Sequence, residues 1–295
     1  MGTEIELIAE SNAFFKKITL NLGGKLIDLS RPHVMGILNV TPDSFYDGGK
    51  HTGSDHKILS QVEKMLLEGA TIVDIGGYSS RPGAVNITVE EEKLRVIATI
   101  LLVAKHFPEA NLSVDTFRAE VAEEALQAGA RMINDISGGE LDNCMFDVVA
   151  QYQVPYVLMH MRGTPQNMKE LTDYDNIVVD ILDCFQRKVA ELRSRGVIDI
   201  ILDLGFGFAK TIDQNYILLR NFSAFQALGL PLLAGLSRKS MIYRRLNVSA
   251  EGALNGTSVL NTAALLQGAS LLRVHDVKEA VEAIQLTQYI LEADN

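Results

Sequence analysis

Apolar and polar residues follow two alternating patterns along the chain. Short apolar runs, typical of strands buried in a parallel sheet, are separated by stretches in which apolar residues recur every three or four positions, as on one face of a helix. The predicted strands are Val34–Val40, Thr71–Ile75, Leu112–Asp115, Met132–Asp135, Tyr156–Met159, Ile198–Asp203, Leu232–Gly235 and Leu271–Val274. The predicted helices are Asp55–Leu67, Glu90–Lys105, Ala119–Ala128, Phe146–Gln151, Ile177–Arg193, Asn215–Leu228, Thr257–Gln267 and Val277–Leu291.

Eight strand–helix repeats in a chain of 295 residues favour an α/β fold, the (β/α)8 TIM barrel. Near the N-terminus, Leu20 and Leu22 alternate with polar residues and Gly23-Gly24 predicts a turn, so residues 1–30 are interpreted as an N-terminal extension with a β-hairpin that plugs the barrel. No linker or low-complexity stretch divides residues 1–295, which predicts a single domain. A doubly wound open sheet is the alternative, but the sequence lacks the Gly-rich dinucleotide turn expected after its first strand.

The chain is acidic, with a net charge of −10 and a pI of about 5.1. This charge disfavours nucleic acid and anionic membranes as partners. The N-terminal residues contain no signal-like core and no apolar run approaches membrane-spanning length, so a cytoplasmic protein is expected. The two cysteines, Cys144 and Cys184, fall in helix-like stretches and are expected to be buried in a reducing compartment.

Polar residues close four of the apolar runs, which is costly for a buried strand unless those residues have partners. They are Asp115, Asn134, Asp203 and Lys239, and they follow the third, fourth, sixth and seventh predicted strands. Since the loops after the strands of a barrel meet at one mouth, these residues indicate one pocket for a flat heterocycle with adjacent N–H donors. The alternative is a structural network in which Lys239 neutralises Asp115 or Asp203.

Further candidates lie at other predicted strand ends. Asn39 offers an oxygen to a hard cation or a contact to a diphosphate, or else it ties down the following loop. Arg273 and His275 lie two residues apart and so face the same side, an arrangement suited to a phosphate. Gly205-Phe206-Gly207-Phe208 predicts a sharp turn with apolar walls beside Asp203.

The loops after the first two strands, Thr41–Asp55 and Gly76–Val89, are long and rich in Gly, Pro and Ser. The second loop contains Arg81, which follows two serines and precedes Pro82. Arg81 either reaches an anion or is a solvated charge of the loop. The remaining histidines have no metal-like spacing, and no zinc pattern, P-loop or nucleophile elbow is present.

A series of motifs runs along the chain, of which the longest is Met35-Gly-Ile-Leu-Asn39-Val-Thr-Pro-Asp-Ser-Phe45. It is followed by Asp74-Ile-Gly-Gly, Ser80-Arg-Pro-Gly, Val114-Asp-Thr, Asn134-Asp-Ile, Met159-His-Met, Gly205-Phe-Gly-Phe, Ser237-Arg-Lys-Ser and Arg273-Val-His-Asp-Val. Together and in this order, the motifs resemble those of the dihydropteroate synthases, the folate-pathway enzymes that sulfonamides inhibit, and the first motif is the strongest match.

The resemblance implies a transferase that joins 6-hydroxymethyl-7,8-dihydropterin diphosphate to 4-aminobenzoate and releases 7,8-dihydropteroate and diphosphate. It implies a Mg²⁺ cofactor bound by Asn39 and the diphosphate, and a homodimer. The implied roles are pterin binding by Asp115, Asn134, Met159, Asp203, Phe208 and Lys239; diphosphate binding by Asn39, Arg81, Arg273 and His275; and aminobenzoate binding by Thr41, Pro42, Phe45, Ser80, Pro82, Phe208 and Ser240. The implied catalytic residues are Asp115, Lys239, Arg273, His275 and Arg81.

The implied mechanism is dissociative: the C–O bond to diphosphate breaks early, and the amine attacks the resulting pterin methylene cation. Four residues depart from the commonest family pattern, namely Tyr78 for Glu, Ser80 for Thr, Leu204 for Pro and Ala209 for Gly. They bear on the shape of the aminobenzoate pocket and hence on sulfonamide binding.

Three other interpretations compete with this one. A methyltetrahydrofolate-binding methyltransferase shares the barrel and a pterin-holding Asp and Asn, but has no use for Arg273 and His275 as a diphosphate site. A non-catalytic pterin-binding subunit would be marked by loss of loop or diphosphate residues, which are present here. A structural barrel without pterin affinity is disfavoured by the four polar strand ends.

Overall fold

Eight parallel strands close into a barrel in which each strand pairs with its neighbour in the sequence and the last pairs with the first. The computed structural model describes residues 19–40, 51–79 and 86–293, the side chains of 51–53 excepted. The barrel prediction is confirmed, with most strand bounds within two residues of those expected. The strands are His33–Asn39, Ile72–Gly76, Asn111–Asp115, Met132–Asp135, Tyr156–Met159, Ile200–Asp203, Leu232–Ala234 and Leu271–Val274.

Helices follow the barrel strands and cover their outer side. Two of them begin with a capping box, formed by Thr88 with Glu91 and by Thr211 with Gln214, which satisfies N–H groups of the first turn. The α-helices are His51–Leu67, Val89–His106, Ala119–Ala128, Met145–Tyr152, Ile177–Ser194, Ile212–Arg220, Ser240–Leu246, Leu254–Leu266 and Val277–Glu292.

Two helix predictions need correction. The predicted helix Asn215–Leu228 is an α-helix, Ile212–Arg220, followed by a 3-10 segment, Phe222–Leu228. The Asn221 amide turns back to the Ile217 carbonyl at 2.8 Å and competes with continuation of the helix. Helix Leu254–Leu266 begins before Gly256 rather than after it, and a Cβ at that glycine would lie 2.3 Å from Ile242 Cγ2.

The N-terminal hairpin closes the end of the barrel at which the strands begin, as predicted. Strands Thr19–Leu22 and Lys25–Asp28 pair antiparallel, and the Asn21 backbone N–H donates to the Asp199 carboxylate at 3.1 Å. Apolar residues of the hairpin pack against the first inward-facing residues of the barrel strands. Together these residues form an apolar cluster that is called here the floor of the barrel: Leu20, Leu22, Ile27, Leu29, Met35, Ile72, Met132, Val157, Ile201, Leu233 and Leu271.

Polar residues lie directly above the floor because strand side chains on one face recur every two residues. A polar residue comes two positions after each of four floor residues. Asp74 follows Ile72, Asn134 follows Met132, Asp203 follows Ile201 and Arg273 follows Leu271. The intervening residues face the helices and join the large apolar core. The inward-facing polar residues are called here the polar layer, and they are Asp74, Ser113, Asn134, Asp203 and Arg273, with Asp115 one step higher.

The cysteine prediction is partly wrong. Cys144 is exposed and precedes helix Met145–Tyr152, while Cys184 is half-buried within helix Ile177–Ser194. Among the described residues, no helix has both the length and the apolar composition needed to cross a bilayer. The assignment of the whole chain to one domain stays a prediction.

Candidate active site

The polar layer is organised around the guanidinium of Arg273. Its Nε donates to Asp74 Oδ2 at 2.7 Å, and its Nη2 donates to Asp115 Oδ2. The same Asp74 oxygen accepts a 2.8 Å hydrogen bond from Asn134 Nδ2. Four residues from four strands therefore form one connected network at the C-terminal end of the barrel. The predicted alternative was a network in which Lys239 neutralises Asp115 or Asp203. Arg273, and not Lys239, makes the ion pair with Asp115, whereas the charge of Lys239 does act on Asp203.

Burial shifts the pKa values of three charged groups at this end of the barrel, Asp115, Asp203 and Lys239. Desolvation raises the pKa of Asp115 to about 7, although Arg273 opposes the shift. Desolvation also raises the pKa of Asp203, against the opposing charge of Lys239. The pKa of Lys239 is lowered to about 8 by burial, and Asp203 limits that decrease. The site thus holds one carboxyl group, Asp115, and one amine, Lys239, that change charge close to neutral pH, as is common at catalytic sites.

Lys239 is placed by a strained turn after the seventh barrel strand. Arg238 has a φ of +53°, in the left-handed region that is unfavourable for residues other than glycine. Its backbone N–H donates to Thr257 Oγ1 at 3.0 Å, and its guanidinium pairs with both oxygens of Asp276 at 2.7 and 2.8 Å. Lys239 Nζ donates to the Phe206 carbonyl and lies 4.8 Å from the centre of the Phe208 ring. The turn fixes the amine between Asp203 and an aromatic face.

His275 is linked to the same turn. Ser237 Oγ lies 3.0 Å from His275 Nδ1, and the His275 backbone N–H donates to that hydroxyl oxygen at 3.2 Å. Both contacts are satisfied when the hydroxyl hydrogen points to Nδ1 and the ring carries its proton on Nε2. The pairs Ser237–His275 and Arg238–Asp276 therefore join the turn to the end of the last strand.

Apolar residues form one wall beside the polar layer. Met159 ends the fifth barrel strand and packs with a cluster of buried side chains, against which Phe208 lies half-buried. The other members are Ile136, Met161, Met168 and Ala209, with Phe117 and Leu141 at the edge. Such a wall suits the face of a flat ring.

The predicted role of Phe206 as a pocket wall is wrong. Its ring is fully buried in the outer core and stacks on Phe222, with ring centres 6.2 Å apart. It reaches the site only through its backbone carbonyl, which accepts from Lys239. The adjacent Gly205 has a φ of +67°, and a Cβ there would lie 2.1 Å from the His160 carbonyl oxygen.

A buried lysine holds this glycine-containing turn in place. Lys210 Nζ donates to the carbonyls of Phe208, Gly205 and His160 at 2.9, 3.0 and 3.2 Å. Burial lowers the pKa of Lys210 to about 7. His160, which had no assigned role, makes this structural contact through Nδ1, and no metal-ligand cluster surrounds it among the residues that the structure describes.

Asn39 ends the first barrel strand beside Gly76, the register neighbour of Asp115. Its side-chain amide makes no hydrogen bond to any described residue and is half-buried. Its oxygen can therefore serve as one ligand of a hard cation whose remaining ligands are phosphate oxygens and water. The described part of the chain contains no cluster of three or more His, Cys, Asp or Glu that could hold a metal by itself.

At the rim, Tyr78 lies edge-on to Phe117, with ring centres 5.0 Å apart, and its hydroxyl accepts from Gln166 Nε2 at 2.9 Å. Arg118 lies 5.6 Å from the Tyr78 ring centre and donates to the carbonyls of Ile87 and Thr88. Tyr78, one of the four departures from the family pattern, thus bridges the loops after the second and fifth barrel strands.

Comparison with known proteins identifies the family. The family model of pterin binding enzymes matches residues 35–275. The chain is 43% identical to the dihydropteroate synthase of Escherichia coli K12 over 272 residues, which is 92% of this chain and 95% of that protein. The chain belongs to the dihydropteroate synthase family.

Solved structures of dihydropteroate synthases have the same fold. The Yersinia pestis dihydropteroate synthase with a sulfonamide drug complex superposes with a TM-score of 0.86 at 42% identity, covering 93% of this chain and 99% of that one. The Xanthomonas albilineans dihydropteroate synthase with 4-aminobenzoic acid also gives 0.86 at 38% identity, covering 94% and 99%. The recognition of this transferase family from the sequence is confirmed.

The residues predicted for a dihydropteroate synthase site fall into two groups. The structure brings together those at the strand ends and in the turn after the seventh strand: Asn39, Asp115, Asn134, Met159, Asp203, Phe208, Lys239, Ser240, Arg273 and His275. The loop residues Thr41, Pro42, Phe45, Ser80, Arg81 and Pro82 lie outside the described residues.

Three residues of the site were not assigned a role from the sequence. Asp74 was quoted only within a motif, although a carboxylate inside an apolar strand is itself a signal of a buried partner. Ser237 and Arg238 lie in the Ser-Arg-Lys-Ser motif, but their contacts to His275 and Asp276 depend on the fold. No local pattern indicates them.

Proposed function

We propose that the chain condenses 6-hydroxymethyl-7,8-dihydropterin diphosphate with 4-aminobenzoate, giving 7,8-dihydropteroate and diphosphate. The observation that carries this proposal is the polar layer, which places acceptors, donors and a guanidinium side by side beside an apolar wall. Relatives named dihydropteroate synthase that align over nearly the whole chain support the same reaction.

The pterin ring would lie between the polar layer and the wall that contains Met159 and Phe208. The carboxylate of Asp203 accepts one hydrogen bond from the Gly205 backbone at 2.8 Å and retains capacity to accept from adjacent pterin N–H groups. Lys239 would donate to the ring carbonyl or a ring nitrogen. Asn134 would donate or accept at the opposite edge, and Asp115 would lie close to the reacting methylene carbon.

The diphosphate would bind at the side of Arg273 and His275. Arg273 uses Nε and Nη2 in its contacts with Asp74 and Asp115, so its Nη1 amino group remains for an anion. His275, with its proton on Nε2, would provide a second donor. Arg81, outside the described residues, stays a predicted third contact.

Asn39 would hold Mg²⁺ together with diphosphate oxygens and water, which fits a half-buried amide that has no hydrogen-bond partner among the described residues. When bound, the ion would neutralise charge that develops on the leaving group. The polar layer itself supplies no further metal ligand set among the described residues.

4-Aminobenzoate would approach from the rim, between the Phe208 ring and the turn that carries Lys239 and Ser240. The Ser240 hydroxyl is predicted to meet its carboxylate. Thr41, Pro42, Phe45, Ser80 and Pro82 are predicted to complete this pocket.

The site favours a dissociative displacement because it contains charge-stabilising groups and, in the part of the chain that the structure describes, no side chain placed as a nucleophile. Arg273 and His275 would stabilise negative charge on the departing diphosphate. Ionised Asp115 would stabilise the pterin methylene cation, which has positive charge on carbon next to the ring. The apolar wall would limit water, which would otherwise capture the cation before the amine does.

The proposal is tested with purified protein, both substrates and Mg²⁺. Dihydropteroate and diphosphate should form in equal amounts, product formation should stop on chelation of the metal and return with Mg²⁺, and a sulfonamide should compete with 4-aminobenzoate. An active preparation of an E. coli relative provides the positive control. Failure to form dihydropteroate under conditions in which that control is active would refute the proposal.

We also expect the enzyme to act as a homodimer in the cytoplasm. Both remain predictions from the family resemblance. Light scattering at micromolar concentration would measure the first, since a mass near 32.4 kDa indicates a monomer and twice that value a dimer.

A further inference from the structure

Asp74 occupies the centre of the polar layer and is completely buried. Its Oδ2 atom accepts two hydrogen bonds, one from Asn134 Nδ2 at 2.8 Å and one from Arg273 Nε at 2.7 Å. Asn134 belongs to the pterin part of the proposed site, and Arg273 belongs to the diphosphate part. One carboxylate oxygen therefore connects the two parts.

These two bonds fix the orientation of both donors. A carboxylate accepts only, so the Asn134 side chain must present its NH₂ group to Asp74 and its oxygen elsewhere. The Arg273 guanidinium is planar, and its bonds to Asp74 and Asp115 together set that plane. Displacement of either donor changes the acceptor geometry for the other.

The second oxygen of Asp74 has a different environment. Asp74 Oδ1, Ser113 Oγ and Asn111 Oδ1 are all buried, and none has a hydrogen-bond partner among the described residues. Asp74 is the register partner of Ser113 on the neighbouring strand, and Asn111 lies two residues before Ser113 on the same inward face. Three neighbouring polar atoms of this kind match one internal water, which can donate to the two carbonyl-type oxygens and accept from the hydroxyl.

We propose that Asp74 is a positioning residue that couples pterin recognition by Asn134 to diphosphate binding by Arg273, with an internal water shared with Ser113 and Asn111 on its other oxygen. This inference rests on the proposed function. Asp74 acts through its two neighbours and needs no contact with the substrate.

The test measures coupling between two fragments of the substrate. Calorimetry gives the affinity of inorganic diphosphate, with Mg²⁺ present, in the absence and presence of saturating 6-hydroxymethylpterin. In the unaltered enzyme, the pterin should tighten diphosphate binding about 10-fold, a typical coupling factor. Asp74→Asn keeps the shape of the side chain but removes its charge, and Asp74→Glu keeps the charge but moves it.

Both variants should lose the coupling factor, and kcat/KM for the pterin diphosphate should fall at least 10-fold, while the KM for 4-aminobenzoate stays within about twofold. The matched control is Asp135→Asn. Asp135 is equally buried but is held by Ser137, Gly139 and Tyr156 outside the polar layer, so its loss should lower the melting temperature and leave the coupling unchanged.

Intact coupling in either Asp74 variant would overturn the inference, as would a lower melting temperature accompanied by unaltered kcat/KM. If the unaltered protein makes no dihydropteroate, the proposed function itself fails, which is a separate result. A crystal structure of the enzyme at high resolution should show the water within hydrogen-bond distance of Asp74 Oδ1, Ser113 and Asn111, and density without it would remove that part of the proposal.

Discussion

The hydroxyl of Ser237 lies 3.0 Å from the Nδ1 atom of His275 and also accepts a hydrogen bond from the His275 backbone. This double contact fixes the position of the imidazole, and the ring carries its proton on Nε2 when the hydroxyl donates to Nδ1. The proposed role of His275 is to donate from Nε2 to diphosphate. This donation requires one orientation of the ring, and that orientation depends on Ser237, a residue in another loop.

Ser237→Ala should therefore lower the turnover number by about 10-fold, the scale of one lost orienting hydrogen bond. The KM for 4-aminobenzoate should change little. Steady-state kinetics with each substrate varied would measure both values. Ser223→Ala, at an exposed position of the 3-10 segment Phe222–Leu228, is the matched control. Equal turnover in the two variants would contradict the role of Ser237.

The left-handed backbone at Arg238 gives a second prediction. Arg238→Ala and Arg238→Gly both remove the ion pair with Asp276, but only glycine adopts a φ of +53° without steric cost. Denaturant titration should find the Gly variant more stable than the Ala variant by about 0.5–1 kcal/mol. Both should bind the pterin more weakly than the unaltered enzyme because Lys239 follows directly. The reverse order of stability would show that the turn is not strained.

Removal of the Lys239 charge, which acts on the buried Asp203, should weaken pterin binding. Lys239→Ala leaves the Asp203 carboxylate without its largest opposing charge, at a cost of about 2–4 kcal/mol in binding free energy. Fluorescence or calorimetric titration with 6-hydroxymethylpterin would measure the loss. Lys278→Ala, at an exposed lysine of the last helix, should have no effect. Pterin affinity equal to that of the control would place Lys239 outside the pocket.

The activity should have a narrow pH optimum. Asp115, with its pKa raised to about 7 by burial, must be ionised to stabilise a cation, whereas Lys239, with its pKa lowered to about 8, must be protonated to donate. The profile of kcat/KM for the pterin substrate should therefore fall below pH of about 7 and above pH of about 8. Asp115→Asn should remove the acidic limb from whatever activity remains. Persistence of that limb would assign it to another group.

The same shifts affect stability with opposite signs. The folded-state pKa of Asp115 lies above the unfolded value, so this group lowers the free energy of unfolding as pH rises from about 4 to about 7. The folded-state pKa of Lys239 lies below the unfolded value, so stability is regained as pH rises from about 8 to 10.5. Urea titrations across this range, with Asp115→Asn for comparison, should show a shallower acidic part of the dependence in the variant, since Asp203 also has a raised pKa and remains.

Much of the location of the site could be predicted, because a barrel brings the residues at the ends of its strands together at one mouth. Strand side chains alternate, and the parallel strands end at one mouth, so Asp115, Asn134 and Asp203 had to meet if each strand was assigned correctly. The partner of Arg273 could not be predicted in this way. Its bond to Asp74 joins residues 199 positions apart, and only the barrel register decides which carboxylate lies opposite.

Other parts depend on conformations that the sequence pattern does not indicate. The family departure at Ala209 lies in a left-handed conformation with a φ of +48°, and its carbonyl accepts from the Tyr174 hydroxyl at 3.0 Å. Leu204, in place of the usual proline, is fully buried in the outer core, so its apolar character suffices there. The turn at Arg238 is set by Thr257 and Asp276, both of which are distant in the sequence.

The hairpin beneath the barrel has a kinetic consequence. Because Leu20 and Leu22 close the end at which the strands begin, the described residues leave the rim as the route to the polar layer, and a deeply bound molecule is covered by one bound above it. We expect an ordered kinetic mechanism in which the pterin substrate binds before 4-aminobenzoate and dihydropteroate is released as one molecule. Initial-rate studies should show dihydropteroate competing with the pterin substrate but not with 4-aminobenzoate, and competition with both would indicate random access.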